Sequence, residues 1–394
     1  MEPVTPFQNF LNVVRPIIPI VGLVLVVPIL WLMFRKTWRE LDLDAQKHRG
    51  ELLEAGKTDP RPWVALPLCA IILTLQEYYG GRGYFEQVVH PLITKFDLEH
   101  GHVLRSLKYE ELWGFAWWSG TRALGYVVVP FVVWKIAFPR DSLLDLGLRA
   151  RGFFRHVWIY GLFLMVVLPA MWIVAHEPDF GSYYPFYKNA SRSWADFLMW
   201  EAMYFAQFFA LEIFFRGFWL GVLRRSFGAG AIFAMAVPYC MIHYGKPFFE
   251  ACGAIVAGIA LGSLSMRTKS IYQGFLVHIT VAGLMDWLAL KNRKALPTTF
   301  WSPDVDTTGA GAFLNETNLK FARQSVWAWS VVAAIMLALM VFRIVQTRRQ
   351  LAAEAAAPAP TPPPTPAAEP PPAAPAEPEP TPPPPEPQDP PAAT

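Results

Sequence analysis

Five side chains within apolar stretches of this chain have the types and spacing for acid–base chemistry: Glu212, Arg216, Tyr239, His243 and His278. Glu212 and Arg216 are four residues apart and so share one helix face. Tyr239 and His243 repeat that spacing. A carboxylate paired with an imidazole can activate a water molecule, and a second imidazole can donate to a developing oxyanion. Peptide hydrolysis needs both. Each feature also has a plainer reading. A Glu–Arg pair neutralises itself and can simply fix helix packing, and a histidine near a helix end is often a packed core residue. Ionisable groups inside a membrane are costly unless paired, however, and mark functional sites.

Depth links these groups. At a rise of roughly 1.5 Å per residue, Glu212 lies roughly 20 Å from the charged helix end at Arg225, and Arg216 roughly 14 Å. His243 lies roughly 22 Å from Gly228, and His278 roughly 12 Å from Ser270. Four polar groups on three helices therefore share one slab. Glu201 stands three turns further up the Glu212 face, and Asp286 lies further along from His278. No HExxH, GxSxG, P-loop or GxGxxG pattern occurs, so the soluble metalloprotease, serine hydrolase and nucleotide-binding motifs are not indicated. Glu212, His243 and His278 have donor types that a divalent metal would accept, but their spacing identifies no metal. No other cofactor is indicated. Cys69, Cys240 and Cys252 are far apart, form no CxxC pair and read as small core residues.

The elements that must hold these groups are transmembrane helices. The 394 residues are 54% hydrophobic and 16% charged, against roughly 25% charged in soluble domains. Mean hydropathy is +0.28. The net charge of +3 gives no footprint for nucleic acid. The expected fold is all-α, a polytopic transmembrane helix bundle, since no water in the bilayer core can satisfy backbone groups. About nine spans are expected, near 16–34, 63–80, 112–137, 154–175, 197–222, 229–245, 248–266, 270–290 and 324–345. The first run is too long for the core of a signal peptide and lacks a small-residue cleavage site. Arg122 inside the third could shift or break it.

Basic clusters orient the spans. Arg35, Lys36 and Arg39, the group from Lys135 to Arg155, Arg224 and Arg225, Arg267 and Lys269, and Arg343 to Arg349 fall on one side if the C-terminus is cytoplasmic. Lys291, Arg293 and Lys294 are the exception. The expected setting is a bacterial inner membrane. Residues 81–111, with His90, His100 and His102, and residues 291–323 read as polar loops. Asn315-Glu316-Thr317 matches a glycosylation pattern and is read as chance. From Pro358 the chain is mostly Pro, Ala, Glu and Thr, a composition that stays as coil and polyproline II. It reads as a disordered, solvated tail, with a proline-recognising partner as the alternative. The organisation is therefore 1–194 for the front spans, 195–290 for the polar core, 291–345 for a loop and last span, and 346–394 for the tail.

The stretch Leu211-Glu212-Ile213-Phe214-Phe215-Arg216-Gly217 resembles the first motif of the CPBP family, Glu-Glu-x-x-x-Arg followed by Gly. These are intramembrane proteases related to the CAAX prenyl endopeptidase and to bacteriocin-immunity membrane proteins. Tyr239 to His243 resembles the second motif, Phe-x-x-x-His, and His278 the histidine of the third, His-x-x-x-Asn or Asp. A Gly-rich helix (Gly253, Gly258, Gly262) and the polar turn from Arg267 to Ser270 precede that histidine, as in the family. The resemblance covers about 195–290. It implies an endopeptidase acting on membrane-associated peptides or proteins, with Glu212 and His243 activating water and His278 facing the oxyanion. Two departures stand out. Leu211 replaces the family's first Glu, and Ala282 replaces its Asn or Asp. A catalytically inactive scaffold that binds hydrophobic peptides is therefore the rival reading. A proton-coupled transporter is a third, disfavoured because the spans show no internal repeat.

Overall fold

The computed structural model describes residues 13–14, 17–176, 180–246, 248–304 and 314–356. The Pro-rich segment beyond 356 and Gly309 to Gly311 lie outside the described residues. All regular structure among the described residues is helical. The helices used below are α1 (Ile18–Glu54), α2 (Arg61–Tyr79), α3 (Arg82–Glu99), α4 (Glu110–Ala137), α5 (Arg151–Val174), α6 (Trp194–Phe227), α7 (Gly230–Met241), α8 (Phe248–Thr268), α9 (Tyr272–Asn292) and α10 (Glu316–Ala356). By its contacts the chain divides into residues 1–347 and residues 348–394; of the second unit only 348–356 is described.

Among the described residues six helices, α1, α4, α6, α8, α9 and α10, are long and apolar enough to cross a bilayer, or seven if α2 and α3 form one broken span. The chain is thus a multi-pass membrane protein. The expected nine spans reach six or seven on this measure, and two departures have local causes. α7 has 12 residues, too few to span, because a run of turns begins at Ile242. The stretch read as a polar loop from residue 81 is helical over Arg82–Glu99 and bends by 55° from α2 at Gly80 and Gly81. Arg122 does sit within a span. Its guanidinium donates to Gln76 of α2 at 3.0 Å and to Tyr126 at 3.2 Å, which provides the pairing that a charge in lipid requires.

α6 is the centre of the fold. In its most apolar stretch 83% of residues are buried, against none in α10. Its start is fixed by Ser193, whose hydroxyl accepts from the Asp196 N–H at 3.1 Å and donates to the Asp196 carboxylate at 2.6 Å. Such a cap satisfies helix N–H groups that have no intrahelical partner. Arg192 and Tyr187 also bond Asp196, at 2.7 and 2.6 Å. Lower down, Gly217 passes the 143–147 turn. A Cβ there would stand 2.6 Å from the Leu146 carbonyl oxygen, so only glycine permits the approach. The same turn holds the start of α9 through the Ile271 N–H on the Gly147 carbonyl at 3.1 Å. One turn therefore sets the two helices that carry Glu212 and His278.

Candidate active site

Five residues at i+4 spacing, Trp200, Tyr204, Phe208, Glu212 and Arg216, form a row along α6, because side chains four apart lie one above the other. The three rings pack in sequence, Trp200 stacked on Tyr204 with centroids 4.7 Å apart and Phe208 tilted against Tyr204 at 4.6 Å. Phe208 then stacks on His278 of α9 at 4.9 Å with planes 12° apart. Directly after Glu212 the helix widens into a π segment, Ile213–Trp219. Such segments recur at functional sites.

Glu212 and Arg216 are fully enclosed and 3.0 Å apart. Glu212 Oε1 also lies 3.1 Å from His278 Nε2. The Arg216 guanidinium sits 3.9 Å over the Tyr239 ring, and the Tyr239 hydroxyl is 3.4 Å from the same His278 nitrogen. These contacts are close rather than aligned. No linear hydrogen bond reaches either Glu212 oxygen or any Arg216 nitrogen, so charge and ring-face attraction hold the cluster. Gly274 of α9 makes room for the carboxylate, since a Cβ there would meet Glu212 Oε2 at 2.4 Å.

His243 lies just past α7, within the turn. Its Nδ1 is 2.7 Å from the Tyr239 carbonyl, and its ring packs 4.8 Å from the Tyr239 ring. A carbonyl only accepts, so Nδ1 carries the proton and Nε2 presents its lone pair. Among the described residues no hydrogen bond or ion pair joins His243 to Glu212. Of the residues singled out from sequence, Glu212, Arg216, Tyr239 and His278 form one cluster, with His243 adjoining it through Tyr239. No three His, Cys, Asp or Glu side chains among the described residues converge as metal ligands. Leu211 and Ala282 are both buried.

Two polar groupings nearby were not legible as such. Beside His243, Lys246 bonds Glu250 at 2.6 Å, and Tyr184 donates to the other Glu250 oxygen at 2.6 Å. Burial and the Glu250 charge push the Tyr184 hydroxyl well above its ordinary pKa, so it remains a donor. On the outer part of α6 and α9, the buried Asp286 accepts from the Trp200 indole at 2.6 Å, and the buried Glu201 carboxyl lies beside it. Glu201 and Asp286 stood out as charges in spans; nothing in their spacing revealed that they meet.

The fold and this cluster define a class: a multi-pass helical membrane protein with a buried Glu–Arg–His–Tyr site built from three helices. Within it, residues 193–284, about a quarter of the chain, match the family model described as Type II CAAX prenyl endopeptidase Rce1-like. The match begins at Ser193, the cap of α6, and ends on α9, the elements that bring the cluster together. No curated protein and no solved structure matches the chain.

Proposed function

We propose that the chain is an intramembrane endopeptidase of the CAAX prenyl endopeptidase type, hydrolysing peptide bonds of membrane-associated proteins, with His243 as base. The observation that carries this reading is the His243 ring, whose Nδ1–H is engaged by the Tyr239 carbonyl at 2.7 Å, which directs the Nε2 lone pair away from that contact. His243 Nε2 takes a proton from water as the oxygen attacks the peptide carbonyl. The C–N bond then breaks, and the same proton passes to the leaving amine. His278 stands on the oxyanion side, its ring fixed by Phe208 and its Nε2 facing Glu212. Glu212 is a positioning residue in this scheme, because Arg216 and His278 already occupy it.

The test is cleavage of a prenylated C-terminal peptide by purified protein. His243→Ala should lower kcat about 10²- to 10⁴-fold, the range for loss of a general base. Full activity in that variant would refute the assignment. A second reading, a non-catalytic peptide-binding relative, is favoured by Leu211 and Ala282 standing buried where the family carries polar groups. Leu211→Glu with Ala282→Asn separates the two. Activity that appears only in the double variant supports the binding protein; an active natural chain that gains nothing rules it out.

A further inference from the structure

The basic end of the apolar part of α1 carries a groove that the proposed chemistry does not use. It is an open cavity of about 620 Å³ between α1 and α7, lined among others by Trp31, Arg35, Trp38, Arg39, Asp42 and Phe233. Its level is fixed by the fold. The apolar run of α1 ends at Phe34, and Arg267 at the end of α8 reaches the Met33 carbonyl at 3.5 Å. Two helices thus leave the apolar layer together, and the groove opens at headgroup depth.

Its floor is fixed by specific contacts. The Trp38 indole donates to Ser263 of α8 at 2.9 Å and meets the Phe233 ring edge-on at 5.4 Å. Arg35 and Arg39 share one face of α1. Arg35 lies 5.6 Å over the Trp31 ring, and neither arginine belongs to an ion pair among the described residues. Asp42 is tied down, since Oδ1 accepts from the Ala229 N–H at 2.8 Å. Two guanidinium groups less one carboxylate leave one positive charge facing the groove. Trp31 and Phe233, each about half exposed, form an apolar wall beside it.

We infer that this groove binds one anionic phospholipid, its phosphate held by Arg35 and Arg39 and an acyl chain lying along Trp31 and Phe233. Guanidinium groups pair with phosphate in forked geometry, and a lipid of net charge −1 complements the surplus charge where a zwitterionic lipid does not. The inference stands apart from the proposed peptidase.

The experiment is native mass spectrometry and thermal shift of the full chain in neutral detergent, titrated with phosphatidylglycerol, phosphatidylcholine or inorganic phosphate. The expected result is one retained phosphatidylglycerol, with phosphatidylcholine at least about ten-fold weaker and inorganic phosphate without effect at millimolar concentration. Arg35→Gln with Arg39→Gln should lose about ten-fold or more in phosphatidylglycerol affinity while the lipid-free melting temperature holds. Phe233→Gln, which removes the apolar wall and its edge contact with Trp38 but neither arginine, should weaken phosphatidylglycerol binding. Equal binding of the two lipids, unchanged binding in the double arginine variant, or stabilisation by inorganic phosphate matching that by lipid would overturn it.

Discussion

Glu212 has Arg216, His278 and the Cα of Gly274 as neighbours and no exposure to solvent. Removing its charge strands Arg216, and breaking one partner of a buried pair costs about 3–5 kcal/mol. Glu212→Gln should therefore show a clear drop in melting temperature in detergent, whatever it does to turnover. Gly274→Ala should act on the same carboxylate from the other helix, since its methyl must displace Glu212 from beside His278. The expected outcome is lowered stability together with reduced cleavage, read from one purified sample. At the outer carboxyl pair the signs differ between partners. Glu201 and Asp286 are buried side by side, and two adjacent buried carboxylates repel, so Glu201→Gln, which keeps the shape and adds a donor, should leave the melting temperature nearly unchanged. Asp286→Ala strands the buried Trp200 N–H, a loss of about 1–3 kcal/mol. The residue types and their shared depth were legible from sequence. Their pairing was not. The sequence joined Glu212 to His243, but Glu212 meets His278 and Trp200 meets Asp286, a pattern that sets α6 and α9 antiparallel side by side. Strand-like periodicities or apolar runs carry no record of which helix lies against which.

At the scale of elements, hydropathy located most spans because a bilayer demands long apolar helices. It did not locate the bend at Gly80 and Gly81 or the early end of α7, both of which are local backbone decisions. The π segment after Glu212 was equally invisible, since it changes hydrogen-bond register and leaves composition alone. The i+4 row from Trp200 to Arg216 was readable in principle, because four equal steps place rings and charges on one face. Connections between elements carry their own test. Asp59, between α1 and α2, accepts from the Ser226 hydroxyl at the end of α6 at 2.6 Å and from the Arg61 N–H at 3.1 Å. Burial opposes its ionisation, but the bonds from Ser226, Arg61 and His48 and the Arg61 charge outweigh that and hold its pKa below the ordinary value. A depressed carboxylate stabilises the fold at pH above its unfolded value, near about 3.9, and the contribution fades as pH falls through the folded value. Asp59→Asn should thus melt below the natural chain at pH 7, with the gap closing below about pH 4 in melting curves taken across pH.

For the whole molecule, the matched segment of 193–284 covers the polar cluster and about a quarter of the chain. The remaining helices lie outside that segment, and the groove at Arg35 and Arg39 forms where α1 meets α7. The resemblance carried by the three motifs was readable from residues alone, whereas the proposed positioning role of Glu212 rests on its contacts with Arg216 and His278. The account rests on His243 delivering water to a peptide bond. Its most direct measurement is cleavage of a prenylated C-terminal peptide in ¹⁸O-labelled water by the natural chain and by His243→Ala, read by mass spectrometry. The account expects cleavage of the peptide by the natural chain, one ¹⁸O in the new carboxylate and no product above background from His243→Ala. A natural chain that releases nothing, or a His243→Ala chain that releases product at the natural rate, would contradict it.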